Sequence, residues 1–517
     1  MKRRRLLRTR SASAAFTTAS LACLYLPGIS TSVDAFDAGF CRPSPATFTS
    51  PRNLQYRPYP AVLALSSTSK SNSPSQHGDD EEEEGSILGA SLLFAGTAIG
   101  AGMLALPAET LYAGFIPSIS GLTLCWVFTY VTSIATLEAS WISEKLSSSS
   151  TNEGGQEGGG GERGGGFLSI SRSALGLPGE IVTGVLFWFL LTSIVVAYTA
   201  EGGQLISQFV HEISSGNIHL APAIGSGIFA SCFGSIAIYG TSRVDSVNRI
   251  FVLGLVGTFV GLVGFGLPQI DTNNLINRAD WSAIYPTVLS IGILSFGAQN
   301  VVPTLLQYLG NDPNRTRRAI LFGSLTPLVM YTIWEAVFLG IVSADAAADG
   351  GESKMQIITV LGETGGTVVK DLVQVFSACA IGSSMAGASV SLVDFCDDIV
   401  AIATRSKSRR DDATLSNAGS RRLLAAALAL GPPVFLSYAF PDIFLVALEE
   451  AGLLGGVSLY GILPALCILS LRGSAASANI TMPGRLGGGD VALCALVAIS
   501  SGLVLPEIIR LTAPMLK

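Results

Sequence analysis

The chain has 517 residues and a formal net charge of −6, and 49% of its residues are hydrophobic but only 13% are charged. Because soluble domains carry about a quarter of their residues as charged side chains, this composition excludes a soluble protein and predicts an integral membrane protein. The eight cysteines form no CxxC pair, so a zinc site or a disulfide framework is not expected.

Sequence motifs of enzymes are lacking as well. The chain has three histidines and no HExxH or GxxxxGK[ST] motif, and no GxSxG elbow stands beside a strand pattern. We therefore expect that it is not an enzyme, that it needs no cofactor or metal and that ATP does not power it. Its partners should be a small molecule and membrane lipid, with no nucleic acid and no obligate protein partner.

The first 85 residues have the composition of targeting segments. Residues 1–35 comprise a basic start, a short apolar stretch and small residues, which is typical of a cleavable signal peptide. Residues 36–85 are rich in Ser, Pro and Thr like a transit peptide and end in a disordered acidic run, 79–84. Two targeting segments in series predict the plastid (inner) envelope. The alternative is a plain signal peptide with a disordered tail, which would lead to another membrane of the secretory pathway.

Residues 86–517 form the predicted membrane domain. Apolar runs of about 20 residues can each cross a hydrocarbon core as an α-helix, and eleven of them follow in chain order: 86–111, 114–142, 179–209, 220–239, 247–268, 283–307, 318–342, 367–396, 422–440, 443–470 and 490–508. The segment 144–166 between the second and third runs is a flexible glycine-rich loop.

The distribution of basic residues supports this count of spans. Loops after the even-numbered spans hold sixteen Lys and Arg residues, whereas loops after the odd-numbered spans hold only Arg278 and Lys354. Since basic residues collect on the cytoplasmic side, a missed or invented span would reverse the order of all later loops. The N-terminus of the membrane domain is therefore predicted on the basic side and the C-terminus on the other.

The first and the sixth spans contain helix-breaking residues in their middle. The first carries GTAIGAGMLALP, residues 96–107, and the sixth carries LSFGAQNVVP, residues 294–303. Inside a bilayer, a helix breaks only where protein or a polar cavity replaces the lost backbone hydrogen bonds. The alternative for the first segment is close helix packing through its GxxxG motif, Gly96 to Gly100. For either segment, a kink without a ligand is a further alternative.

These two spans occupy corresponding positions, because each begins a group of five. Interrupted helices in matching positions of two inverted halves indicate the binding site of a secondary transporter. The start of a half-helix presents free N–H groups and a positive dipole end, which suit an anionic group such as a carboxylate. The pattern thus predicts an all-α membrane protein with a 5+5 inverted repeat and one additional span.

Four segments resemble one family of transporters. They are residues 85–110, 295–310, 317–342 and 458–469, and they are similar to the tryptophan/tyrosine permeases of the amino acid, polyamine and organocation superfamily. The resemblance implies a LeuT-like fold with 11 transmembrane helices and proton-coupled uptake of tyrosine or tryptophan. The presequence, the glycine-rich loop and the acid in AYTAEGG, residues 197–203, depart from the family pattern.

The substrate-binding residues follow from the two breaks. The backbone of the first break is expected to receive the substrate carboxylate, and the second break is expected to face the substrate ammonium. A hydroxyl in the third span could close over the carboxylate, although a packing role for this tyrosine is an equal alternative. The predicted residues are Thr97, Ala98, Ile99, Gly100, Ala101, Gly102, Tyr198, Phe296, Gly297, Ala298 and Gln299.

Proton coupling requires an ionisable side chain in a low-dielectric environment. Glu201 and Glu335 are the candidates, with a structural role as the alternative for each, whereas Glu138 and Asp394 are expected to be structural. Sodium coupling is an alternative, because the eighth span carries three serines, Ser383, Ser384 and Ser389. An amino acid sensor with the same fold, which binds its ligand but carries little flux, is the alternative function.

Overall fold

A computed structural model describes residues 85–512, with gaps at 101, 112, 154–165, 240, 278, 343–365, 408–416, 442, 478–479, 481 and 484–485. The predicted targeting segments before residue 85, the site residue Ala101 and most of the glycine-rich loop lie outside the described residues.

Regular secondary structure in this part of the chain is helical throughout. The α-helices are α1 Ile87–Ala98, α2 Gly102–Thr110, α3 Phe115–Glu153, α4 Phe167–Ile213, α5 Pro222–Tyr239, α6 Thr241–Gly266, α7 Thr272–Ile276, α8 Leu289–Ser295, α9 Val302–Tyr308, α10 Pro313–Ile341, α11 Thr367–Lys407, α12 Asn417–Ala439, α13 Phe444–Glu450, α14 Leu463–Ser477 and α15 Gly489–Thr512. A π-helix, Ala451–Ile462, continues α13 into α14.

The lengths and composition of these helices confirm an α-helical membrane protein. Within the described ranges, nine helical segments are long and apolar enough to cross a bilayer, and the bent pair α1 and α2 raises the number to ten. The predicted fourth span corresponds to a shorter apolar helix, Pro222–Ile238. Helix α4 consists of two helical stretches that meet in a kink at Gly176, whose φ of 69° is not helical, so the stretch after the kink begins close to the predicted start of the third span at residue 179.

The chain is divided into two compact units. Among the described residues, the first unit comprises Leu191–Asn248 and Ser384–Ala447, and the second comprises 85–190, Arg249–Ser383 and 448–512. Both predicted breaks and Glu335 belong to the second unit, whereas Tyr198 and Glu201 belong to the first.

In the second unit, buried side chains of α1, α3, α9, α10 and of the segments that adjoin helices form one apolar cluster. Its buried members are Ala90, Phe94, Ala98, Ile134, Leu137, Ala298, Val302, Leu305, Leu306, Leu309, Ala319, Ile320 and Met482. Two of them, Ala98 and Ala298, belong to the predicted breaks. The interrupted segments are therefore supported by well-packed helices.

Two acids expected to be structural are paired with arginines. Glu138 is 1% exposed, accepts hydrogen bonds from Arg472 Nε at 2.9 Å and Nη2 at 2.8 Å, and also accepts the backbone N–H of Leu486. In the first unit, Asp394 accepts a hydrogen bond from Arg422 at 3.0 Å. Removing one partner of a buried ion pair leaves an uncompensated charge, so the Glu138–Arg472 pair holds its helices together, whereas the Asp394–Arg422 pair is about one third exposed.

Candidate functional site

The first predicted span is interrupted within the predicted segment. Helix α1 ends at Ala98, Ile99 has an extended backbone (φ −77°, ψ 113°), and α2 begins at Gly102 with its axis bent by 55° from that of α1. Ile99 and Gly100 are half-buried. The N–H of Met103 donates to the carbonyl oxygen of Gly100 at 3.1 Å. Because the first N–H groups of a helix have no partner in the preceding turn of that helix, the start of α2 is a source of further backbone donors at the break.

The predicted sixth span is interrupted in the same way. Helix α8 ends at Ser295, residues 296–298 are not helical, and a 3₁₀ turn, Gln299–Val301, leads into α9. Pro303 stands in the first turn of α9, where its missing N–H costs no helical hydrogen bond. Phe296, Ala298 and Gln299 are at most 1% exposed.

The two breaks are in direct contact. A Cβ atom added to Gly102 would overlap the hydroxyl oxygen of Ser295 and lie 3.0 Å from its Cβ. Only a glycine fits here without displacing the end of α8. The start of α2 and the end of α8 can approach this closely because residue 102 has no side chain.

Tyr331 of α10 connects the same two breaks. Its hydroxyl lies 2.9 Å from the carbonyl oxygen of Ala98 and 2.9 Å from that of Ser295, and it donates to both. Its ring packs edge-on against Phe296 with 5.1 Å between the ring centroids. Tyr331 is fully buried, so no water competes for this hydroxyl.

Further along the same face of α10, Trp334 and Glu335 hold α2. Trp334 Nε1 donates to the carbonyl oxygen of Met103 at 3.0 Å. In a regular helix that oxygen would accept the N–H of residue 107, but residue 107 is a proline. The indole N–H therefore replaces a hydrogen bond that the sequence of α2 cannot make.

Glu335 is fully buried and contacts the end of α2. One carboxyl oxygen, Oε2, hydrogen-bonds with the Thr110 hydroxyl, while the other, Oε1, has no hydrogen-bond partner among the described residues. A buried carboxyl group with one unsatisfied oxygen is costly to maintain as a purely structural element. This arrangement favours a functional role for Glu335.

Gln299 presents a buried hydrogen-bond acceptor at the second break. Its amide nitrogen donates to Thr132 Oγ1 of α3 at 2.9 Å, which fixes the orientation of the amide. Its oxygen, Oε1, is buried and has no hydrogen-bond partner in the described part of the chain. An ammonium group is a suitable donor for such an oxygen.

Two further predicted residues lie in the first unit. Tyr198 is 7% exposed and its hydroxyl hydrogen-bonds with Ser384 of α11. Glu201 is 4% exposed. The glycines that follow it allow close packing, because a Cβ on Gly202 would lie 2.6 Å from the ring of Phe229 in α5.

Thr97 and Gly297 are the remaining predicted site residues that the structure describes. Thr97 donates its hydroxyl hydrogen to the carbonyl oxygen of Leu93 at 2.9 Å, so this hydrogen is not available to a ligand. A Cβ on Gly297 would lie 2.9 Å from the carbonyl oxygen of Leu294. Both observations agree with a site built mainly from backbone.

Tyr331 and Trp334 are not among the residues predicted from the sequence. Both lie near Glu335 in the segment YTIWE, at positions i, i+3 and i+4 of one helix face. Two aromatic side chains with polar groups and one acid on a single face of an apolar span could have served as a signal. Thr110 and Thr132 carried no recognisable pattern, because their partners are distant in sequence.

The helical membrane protein, with two interrupted spans in mutual contact, has a LeuT-like fold. The fold is similar to that of MhsT, whose crystal structure in complex with L-phenylalanine matches with a TM-score of 0.54 and 16% identity over 83% of this chain and 99% of that chain.

Residues 83–505 match the tryptophan/tyrosine permease family, and the chain belongs to that family. It is 26% identical to tyrosine-specific transport system 2 of Haemophilus influenzae over 81% of this chain and 94% of the relative. It is 28% identical to the tryptophan-specific transport protein of Pseudomonas aeruginosa over 71% of this chain and 82% of the relative. Membership of a permease family confirms the prediction that the chain is not an enzyme.

The role of Trp334 can be tested by a pair of substitutions. Trp334→Phe should destabilise the protein by about 1–3 kcal/mol, because it leaves the buried carbonyl of Met103 without a donor. Adding Pro107→Ala should recover part of this loss, since the alanine N–H can then reach the same oxygen. Thermal unfolding in detergent measures both variants.

A matched control is available in Trp126, whose Nε1 donates to Ser324 Oγ at 3.1 Å. Pro107→Ala should not rescue Trp126→Phe. Equal rescue of the two tryptophan variants would contradict the proposed replacement of the backbone hydrogen bond by Trp334.

Proposed function

We propose that the chain is a secondary active transporter of aromatic amino acids, tyrosine or tryptophan, that works by proton symport and alternating access. The contact between the two helix breaks, at Gly102 and Ser295, is the observation that carries this proposal. Membership of the tryptophan/tyrosine permease family supports the substrate class. The proposal includes eleven spans in an inverted 5+5 arrangement, with Pro222–Ile238 as the shortest.

The two breaks offer complementary chemistry to an amino acid. In the proposed complex, the backbone from Thr97 to Gly102, including Ala101 outside the described residues, receives the carboxylate. The positive end of the α2 dipole favours this anion. The ammonium group is received by the segment Phe296 to Gln299, where Gln299 Oε1 lacks a hydrogen-bond partner among the described residues.

Glu335 is the proposed proton carrier. It contacts Thr110 at the far end of α2, so a change in its charge would act on the helix that begins at the substrate carboxylate. A proton on Glu335 removes a buried charge and lets the carboxyl group donate as well as accept a hydrogen bond. Glu201 in the first unit remains the second candidate.

Counterflow of labelled tyrosine in proteoliposomes tests the function. A transporter exchanges external label against an internal pool of unlabelled substrate, whereas a sensor binds the ligand without exchanging it. We expect tryptophan, tyrosine and phenylalanine to inhibit the exchange in competition, and we expect net uptake to become concentrative when the external medium is acidified. Saturable binding without exchange would favour the sensor.

The composition of residues 1–85 supports a location in the plastid inner envelope. A fluorescent fusion of these residues should enter plastids in an alga with secondary plastids, while residues 1–35 alone should direct the reporter only into the secretory pathway. Retention of both fusions in the secretory pathway would refute the plastid assignment.

A further inference from the structure

The hydroxyl of Tyr331 stands at a point where two backbone carbonyl groups converge. The oxygens of Ala98 and Ser295 each lie 2.9 Å from the hydroxyl oxygen. Both are the last residues of their helices, α1 and α8, so their carbonyl groups have lost the regular helical acceptor role. The single hydroxyl proton is shared between the two oxygens.

Converging carbonyl oxygens at the ends of broken half-helices are also a cation-binding arrangement. In transporters with discontinuous helices, such oxygens coordinate sodium ions or protons. A hydroxyl hydrogen and a cation compete for the same oxygen lone pairs. Either the hydroxyl hydrogen or a cation can supply the positive charge that these oxygens attract, and only one of the two can occupy the position between the breaks.

We propose that the hydroxyl of Tyr331 occupies the position that a sodium ion would need between the two helix breaks and thereby makes transport independent of sodium. This inference rests on the proposed transport function. It assigns Tyr331 as a positioning residue, since it acts on the substrate through the backbone of α1 and α8.

The surroundings of Tyr331 leave its hydroxyl no alternative position. The side chain is fully buried, and the ring of Phe296 packs against it. Beside it, Gly102 at the start of α2 is in van der Waals contact with Ser295 at the end of α8. These two helix ends therefore cannot move closer together to enclose an ion. Trp334, one turn along α10, fixes the register of this face through its hydrogen bond to Met103.

The position also explains why a tyrosine suits the site. The phenol group places one proton donor at the end of a rigid ring, which reaches from α10 to both breaks with little conformational freedom. Asparagine has a shorter side chain with a carbonyl oxygen. At this position it would remove the hydroxyl proton and leave space for a sodium ion. The choice of residue at this one position therefore separates two modes of coupling.

Tyrosine counterflow and uptake in sodium chloride and in choline chloride, at equal ionic strength and pH, test the inference. We expect the wild-type protein to show the same exchange rate and the same KM in both salts. Tyr331→Phe should reduce exchange about tenfold in both salts, because two buried acceptors lose their donor. Tyr331→Asn should regain exchange in sodium but not in choline, with the gain expressed as a lower KM.

The control is Tyr130→Phe, at a tyrosine of the same unit whose ring stacks on that of Trp126, and this variant should behave like the wild type in both salts. Wild-type exchange that requires sodium would overturn the inference, and so would a Tyr331→Asn protein that binds tyrosine equally well in both salts. Absence of exchange of any aromatic amino acid by the wild type would instead refute the transport function itself.

Discussion

Gly102→Ala should lower tyrosine exchange about 100-fold, because small displacements of a binding site can cost this much. The added methyl group would overlap the Ser295 hydroxyl and lie 3.1 Å from its Cα. The end of α8 must then move, which also displaces the Ala98 and Ser295 carbonyl groups from Tyr331. Overpacking of this kind costs about 1–3 kcal/mol of stability, so the protein should still fold.

Gly264→Ala is the matched control for this substitution. Gly264 lies in α6, in a predicted membrane span, and a Cβ at this position would meet no heavy atom within 4 Å. Its exchange rate should equal that of the wild type. Rates are compared after equal amounts of monodisperse protein are reconstituted. Normal exchange by Gly102→Ala would show that the contact between the breaks does not form the substrate site.

Glu335→Gln should abolish acid-stimulated, concentrative uptake while it preserves counterflow. Glutamine has the same size and can still accept the Thr110 hydroxyl, so it imitates the protonated carboxyl group permanently. Counterflow needs only the loaded protein to cycle, but concentrative uptake needs the proton to be released. We expect the ratio of uptake at acidic and neutral external pH to fall to one.

Two further variants separate coupling from stability. Thr110→Val removes the hydroxyl that contacts Glu335 and should shift the pH profile of uptake without abolishing it. Glu201→Gln, in the other unit, should leave the pH ratio of the wild type unchanged. If Glu335→Gln kept its pH dependence and Glu201→Gln lost it, the coupling acid would lie in the third predicted span.

The course of the chain could largely be predicted from sequence, because long apolar runs have few alternatives in a bilayer. The alternation of basic loops adds an independent constraint on the number of spans. The breaks were predictable too, since glycines and prolines at mid-span remove helical hydrogen bonds that lipid cannot replace. Pro107 and Pro303 mark the helices that resume after the two breaks.

The ends of helices were less predictable. Helix α4 includes a helical stretch from Phe167 to the kink at Gly176, which the predicted span, starting at residue 179, does not contain. The helical stretch before this glycine carries Arg172, which pairs with Glu180 at 2.6 Å. Ser470 of α14 donates to the carbonyl oxygen of Ala174 at 2.6 Å, so a contact with a distant part of the chain also holds this segment, which a hydropathy pattern does not register.

The residues of the site also differ in how well they can be predicted from the sequence. Glu335 stood out in the sequence because an acid in an apolar span is rare, but Tyr331 and Trp334 did not, because aromatic residues are common in membrane helices. What distinguishes them is the partner each one reaches, a carbonyl group more than 200 residues away in the chain. No local pattern contains that information.

By itself, the sequence determined that this protein lies in a membrane, that its first and sixth predicted spans come apart, and that it belongs with the tryptophan/tyrosine permeases. These properties follow from hydrophobic length, from backbone hydrogen bonding in lipid and from residue motifs. Only the tertiary structure decided that the two breaks meet at Gly102 and Ser295, and that one face of α10 brings Tyr331 to the breaks and Trp334 and Glu335 to α2. The reason is physical: burial dictates which segments enter the bilayer, whereas directional hydrogen bonds and close packing between distant segments decide which groups meet there.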